Sequence, residues 1–316
     1  MSRRLLQSQF FTLALCASYA LGMAIAVPGF GSPENAANIA SALLPLLVVA
    51  AGQTLVLITG GIDLSVTSII AVVSVAGAGL LTADQGPWTN YSGGIPAAIM
   101  VMLILGASLG LLNGLCVAIL QMPAFMVTLT SMMFWSGLTI WLTHSKSIAG
   151  LPPGFLILGQ NLYVAAAIAG AVCLGTQFML TRTLWGRRLR AVGYNAATAR
   201  VSGVPVEGTI ILAYAASGLC AAVGAILITA QLETGSPVQW KENLLDVIGA
   251  TVIGGTSLFG GRGSIAWTFS GVLLLALIDN SLNLLNLSYF MIMIIKGGVI
   301  LLAALVDVWR TRGAAA

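Results

Sequence analysis

The sequence predicts an all-α integral membrane protein, a polytopic bundle of about ten transmembrane helices in which some are short or broken. Of its 316 residues, 58% are hydrophobic and 7% charged, whereas soluble domains carry about 25% charged residues. The apolar residues fall in separate runs of roughly 17 to 25, enough to cross ~30 Å of hydrocarbon as helix, not in the alternating ten-residue segments of a membrane barrel. The cations sit mostly between alternate runs, which orients the bundle.

The runs span 10–27, 39–59, 64–81, 95–120, 124–142, 162–181, 209–231, 245–258, 265–280 and 289–305. The first follows Arg3 and Arg4, as the apolar part of a signal peptide does. It is long and no small-x-small cleavage site follows, so it is read as a span. The second ends in a helix break at Gly60, Gly61 and Asp63. In the fourth, Gly106, Gly110 and Gly114 recur four apart beside Asn113, a smooth strip for close helix packing. The pair 245–258 and 265–280 is short, and its first run holds a second helix break at Gly254 and Gly255. It forms either two spans or a broken, re-entrant hairpin, which membranes tolerate only where protein or water covers the freed backbone. Segments 82–94 and 144–161 are rich in turn residues and read as loops, with Trp88 and Tyr91 as interfacial anchors. No linker is long enough to separate two domains, so residues 1–316 are expected to form one.

The net charge of +4 concerns topology rather than nucleic acid. With the N-terminus in the cytoplasm, Arg3, Arg4, the arginines between 182 and 200, Arg262, Arg310 and Arg312 all fall inside. Lys146 and Lys241 fall outside, and Lys296 lies within the last span. The excess of cations on one side predicts cytoplasmic N- and C-termini.

Several chemistries find little support. Cys16, Cys116, Cys173 and Cys220 lie inside apolar runs without Cys-x-x-Cys spacing and read as small buried hydrophobes. The single histidine, His144, stands in a loop and reads as solvated; no catalytic grouping and no metal or cofactor motif accompanies it. "GGTSLFGGRGS", residues 254–264, has the spacing of a phosphate loop at Gly255 and Gly260 but continues with Gly261 instead of lysine, so it reads as a flexible turn. An ion-driven carrier needs an ionisable residue near mid-membrane, and the candidates Asp63, Asp246, Asp279 and Lys296 equip it poorly. Lys296 is expected to snorkel or to pair with Asp279. Asp63 is expected to cap the helix that follows it, near the inner ends of two spans.

The longest polar inner stretch, 181–208, holds the small-residue run Asn195–Gly203. That run is expected to form a short helix closed by glycine that faces a soluble partner. "LITGGIDL" and "TVIGGTSL" resemble each other, but both spans run in the same direction, so the likeness is read as coincidence rather than an inverted repeat.

Five strings occur in order: "LVLITGGIDLSV", "MPAFMVTL", "NAATARVSGVPV", "LLDVIGATVIGGTSLFGGRGSI" and "SLNLLNLSYFMIMIIKGGVILLAALVD". Together they resemble the permease subunits of bacterial ribose-, xylose- and galactose-type monosaccharide ABC importers, from about residue 40 to 307. The resemblance implies a bacterial inner-membrane subunit without enzyme activity or cofactor. It also implies three partners: a second permease copy or paralogue, a cytoplasmic ATP-binding subunit and a periplasmic sugar-binding protein. By position it makes Gly193, Asn195, Ala196, Ala197, Arg200 and Gly203 the ATPase-coupling loop. Many relatives have an acidic residue where this chain has Ala196. Gln53, Asn113, Phe125 and Trp135 are candidates for the substrate pathway, with helix packing as the competing role. A permease for another small polar solute (autoinducer-2, a nucleoside or a polyol) and an ion-coupled carrier remain as alternatives.

Overall fold

The computed structural model describes residues 10–83, 86–88 and 93–312; Arg3, Arg4 and Tyr91 lie outside them. Among the described residues the regular elements are thirteen α-helices and one 3-10 turn, Lys241–Asn243. The helices are α1 (Phe10–Ala26), α2 (Pro33–Ile58), α3 (Val66–Leu81), α4 (Gly94–Ala118), α5 (Ala124–Thr143), α6 (Pro153–Gln160) and α7 (Leu162–Arg182). There follow α8 (Leu184–Tyr194), α9 (Ala196–Val201), α10 (Val206–Gln231), α11 (Leu244–Ile253), α12 (Ile265–Leu284) and α13 (Tyr289–Arg312). Local chemistry sets several starts. Ser32 accepts a hydrogen bond from the Asn35 N–H to open α2, with Pro33 in its first turn, and Asn161 accepts from Tyr163 and Val164 to open α7.

Helices α2, α4, α5, α7, α10 and α12 are long and apolar enough to cross a bilayer, and α1, α3 and α13 are shorter apolar helices. With its 10 residues, α11 reaches roughly 15 Å, half a span. Six candidate spans, three shorter apolar helices and one half-helix make ten apolar helices among the described residues, in line with the about ten read from the sequence. The short pair is therefore a half-helix, a turn and a full helix. The sequence reading ended α12 near its polar residues, but these find protein partners. Asn280 and Asn35 exchange hydrogen bonds of 2.8 and 2.9 Å, and Ser281 lies 2.6 Å from the Tyr19 hydroxyl.

Two loops hold unforeseen helices. Residues 144–161 contain α6, opened by Pro153 and anchored by the fully buried Phe155. The inner polar stretch contains α8, whose Gly186, Leu189 and Val192 are buried on one face. Trp88, read as an interfacial anchor, is partly buried against the core.

At the centre α2 runs beside α10, and both are buried along most of their length. Between helices in lipid the hydrophobic effect gives little net attraction, so close packing and interhelical hydrogen bonds hold the bundle. On α4 the glycine strip meets α10 backbone to backbone: a β-carbon added at Gly218 would lie 2.2 Å from the Gly106 carbonyl oxygen. Thr54 and Thr268 join α2 to α12 at 2.7 Å, and Ser74 and Thr229 join α3 to α10 at 2.6 Å. Helix α5 is the outlier, with only Val127, Thr128 and Thr139 buried.

Candidate functional site

The break between α2 and α3 is built from backbone. The α2 ladder ends at Thr59, and Gly60 turns the chain with φ +84°, a conformation that suits glycine. A β-carbon at Gly61 would lie 2.6 Å from the Tyr214 hydroxyl. The carbonyl of Ile62 accepts from that hydroxyl at 3.4 Å and from the Thr128 hydroxyl at 3.2 Å, which fastens the break to α10 and α5.

Asp63 does not cap α3. The helix begins at Val66 behind Ser65, which makes no side-chain cap bond. Asp63 is instead fully buried and turned into the break. Its Oδ1 accepts from the Ser65 N–H at 3.0 Å and the Ser65 hydroxyl at 2.5 Å, and its Oδ2 accepts from the Ser217 hydroxyl at 3.0 Å. Asn113 adds a donor, its Nδ2 lying 2.8 Å from the Ser65 hydroxyl. The capping expectation failed because the helix starts at Val66, behind Ser65, which puts Asp63 two residues ahead of the cap position; its Ser217 partner, 154 residues away, is one that no local pattern reveals.

Asn113 borders a cavity of about 280 Å³ between α4 and α5, with Thr130, Ser131 and Phe134. Phe125 is half-exposed on α5, and Trp135 packs edge-on to Phe134 with ring centroids 4.9 Å apart. Gln53 is fully buried in α2, and neither atom of its amide has a hydrogen-bond partner among the described residues.

Helices α8 and α9 connect α7 to α10 and carry Arg187, Arg188, Arg190 and Arg200; Val192, Ala199 and Val206 pack together between them and the start of α10. Asn195 accepts from the Thr198 N–H at 2.9 Å to start α9, and Gly203, at φ +80°, lies just past its end. Ala196 and Ala197 are exposed, as are Tyr194 and Val201. Arg200 forms an ion pair with Glu207 at the start of α10, which fastens the far end of α9 to a long helix. The result is a small knob that exposes Tyr194, Ala196, Ala197 and Val201.

Three glycine-bearing segments distant in sequence meet beside this knob. A β-carbon at Gly193, in α8, would fall 1.8 Å from the Ile58 carbonyl oxygen and 2.4 Å from the Gly261 nitrogen. The Gly261 N–H donates to the Ile58 carbonyl at 2.9 Å. A β-carbon at Gly260 would lie 2.8 Å from the Gly193 oxygen and 2.9 Å from the Gly60 nitrogen. The turn 254–264, expected to be flexible, is thus fixed against its neighbours, and the Ser257 N–H also closes on the Arg262 carbonyl at 3.0 Å. Its opening pair packs elsewhere: Gly254 lies against α12, and Gly255 takes φ +96°. Sequence reasoning missed Gly260 and Gly261 as part of the break. The visible signal was a second glycine pair in the same short turn.

A separate charged cluster joins three helices. Lys296 Nζ lies 2.6 Å from Asp246 and 3.1 Å from Asp279, so α13 is pinned to both α11 and α12. The lysine therefore has the partner expected for it and a second one besides. His144, exposed, ends α5 in the left-handed conformation.

Comparison with known proteins places these features in a family context. A family profile described as "Branched-chain amino acid transport system / permease component" matches residues 35–304. The ribose import permease protein of Bacillus subtilis (strain 168) is 36% identical over 287 residues, covering 89% of this chain and 86% of that protein. The L-arabinose transport system permease protein of Escherichia coli (strain K12) is 31% identical over 310 residues, covering 96% and 92%. The xylose transport system permease protein of the same strain is 29% identical over 341 residues, covering 87% and 85%. No solved structure matches the chain at a significant level.

Proposed function

We infer the function from one established premise: the chain belongs to the branched-chain amino acid transport system / permease component family, whose profile covers most of its length. It is the membrane-spanning permease subunit of an ATP-driven importer in a bacterial inner membrane, and it passes a monosaccharide without altering it chemically. The observation that carries the sugar assignment is the near full-length similarity to ribose, L-arabinose and xylose permeases. The family description alone names amino acids.

The chain contains no G-x-x-x-x-G-K-[ST] phosphate loop, so ATP is hydrolysed on a separate subunit. That subunit docks on the knob formed by Gly193, Asn195, Ala196, Ala197, Arg200 and Gly203, where exposed apolar groups and a fixed short helix suit a protein partner. The termini and this knob lie in the cytoplasm, as the positive-inside rule requires. A periplasmic binding protein delivers the sugar to the opposite face. A second permease copy or a paralogue packs beside α5, where Phe125, Met126 and Phe134 are exposed and Phe134 lines the Asn113 cavity. The pathway then runs between two copies. Nucleotide binding and hydrolysis shift the pair between outward- and inward-open states.

The test is reconstitution of the permease with its ATPase and binding protein in liposomes, followed by uptake of labelled ribose, xylose or L-arabinose. Uptake that requires ATP and survives a protonophore is the expected result. Uptake that persists without the ATPase and collapses with the proton gradient would establish an ion-coupled carrier instead.

A further inference from the structure

We propose that the backbone junction of Gly193, Gly60 and the Gly260–Gly261 pair is the positioning element through which movement of the ATPase-docking knob reaches the Asp63 break. This rests on the docking role assigned above and adds where the motion goes. Side chains at van der Waals contact keep carbon atoms ~3.5 to 4.0 Å apart and yield by changing rotamer. Among Gly193, Gly60 and Gly260 the contact is backbone to backbone, and the one side chain at the junction is the Tyr194 ring, which lies against Gly261. The positions that a β-carbon would take at Gly193 and Gly260 lie 1.8 to 2.9 Å from backbone atoms of the facing segments, and one backbone hydrogen bond, Gly261 to Ile58, crosses it. Displacement of α8 therefore cannot be absorbed by a rotamer change; it moves the end of α2 and the 254–264 turn with it.

From Ile58 the chain needs only four residues to reach Ile62. There the Ile62 carbonyl is held by α10 and α5, and Asp63 is held by Ser65 and Ser217. Ser65 in turn accepts from Asn113 on α4. A continuous series of backbone and hydrogen-bond contacts thus runs from the knob to the two helices, α4 and α5, that border the proposed pathway. The arrangement also accounts for glycine at three points distant in sequence. Gly60 and Gly260 have φ of +84° and +85°, and at Gly193 the close approach alone excludes a larger residue.

The experiment uses the full complex of permease, ATPase and binding protein in liposomes, with Gly260→Ala as the wedge and Gly208→Ala as the control. Gly260 lies outside the docking knob and the pathway; a β-carbon at Gly208 would meet nothing within 4 Å. ATP hydrolysis and uptake of the labelled sugar that the wild-type complex takes up are read on the same preparations. The expected result is hydrolysis retained in Gly260→Ala while sugar moved per ATP falls about two- to thirty-fold, the range for changes along a coupling route. Hydrogen exchange of the amides 59–65 is followed in the wild-type complex with and without a trapped nucleotide, and protection there is expected to change. This measurement decides the matter if the variant does not assemble. The proposal is overturned if exchange at 59–65 ignores the nucleotide, if sugar per ATP is unchanged in the assembled variant, or if hydrolysis and uptake fall in proportion, as a docking defect would make them. Absence of ATP-dependent uptake in the wild-type complex would refute the assigned function, a different outcome from any of these.

Discussion

Asp63 separates two roles that a buried acid at a helix break can play, fastening the break or supplying a charge for transport. Substitution by leucine removes three accepted hydrogen bonds and leaves the Ser65 N–H, the Ser65 hydroxyl and the Ser217 hydroxyl facing an apolar group in a fully buried site. A buried donor without an acceptor costs about 1 to 3 kcal/mol, so the three together cost roughly 3 to 9 kcal/mol. That is a large share of a typical net stability of about 5 to 15 kcal/mol. Asparagine at the same position keeps one oxygen for the Ser65 pair and turns an amide toward the Ser217 hydroxyl, which can accept. The loss is then the charge assistance alone, about 1 to 2 kcal/mol. The assay is the unfolding midpoint of the detergent-purified protein together with ATP-dependent uptake in liposomes. Asp63→Asn is expected to remain monodisperse and keep most of its uptake, while Asp63→Leu loses folded protein and transport together. Abolished transport by a fully folded Asp63→Asn complex would show that the charge itself is required. A midpoint for Asp63→Leu equal to that of the wild type would show that the network contributes nothing to stability.

The Lys296 cluster should behave as a partly buried ion pair. Lys296→Met leaves Asp246, whose side chain is 9% exposed, without its cation; the expected loss is about 2 to 3 kcal/mol, at or below the low end of the range for buried pairs because Lys296 keeps some contact with water. Adding Asp246→Asn should recover most of that loss in a thermal melt, and a double variant no better than the single one would contradict the pairing. On α4, Gly110→Leu places a β-carbon 2.3 Å from the Tyr214 carbonyl oxygen, an overlap expected to cost about 1 to 3 kcal/mol or more. The yield of monodisperse protein should collapse, whereas Gly175→Leu on α7, with open space at its β-carbon, should be tolerated. Equal yields for the two would remove the close α4–α10 contact from the account.

The spans were legible because helix formation across a membrane depends on composition over roughly 20 consecutive residues, a local property. The half-helix α11 was legible as a short apolar run, 245–258, though its end at Ile253 was not. Helix α6 was not, because Pro152, Pro153 and Gly154 read as a turn until Phe155 is seen buried against the bundle. The continuation of α12 past Asp279 was hidden for a similar reason. Its polar residues are held by Asn35, Tyr19 and Lys296, which lie on three other helices.

The amino-acid sequence by itself determined a helical membrane protein of about ten spans, its family, the absence of an ATP-hydrolysing motif, and the places where glycine interrupts the helices. Tertiary structure alone decided what those interruptions do. Asp63 became the acceptor of Ser217 rather than a helix cap, and Gly60, Gly193 and Gly260 became one junction instead of three turns. Hydropathy and helix-breaking propensity act between neighbours along the chain, whereas hydrogen-bond partners and backbone approach depend on which helices the packed bundle brings side by side.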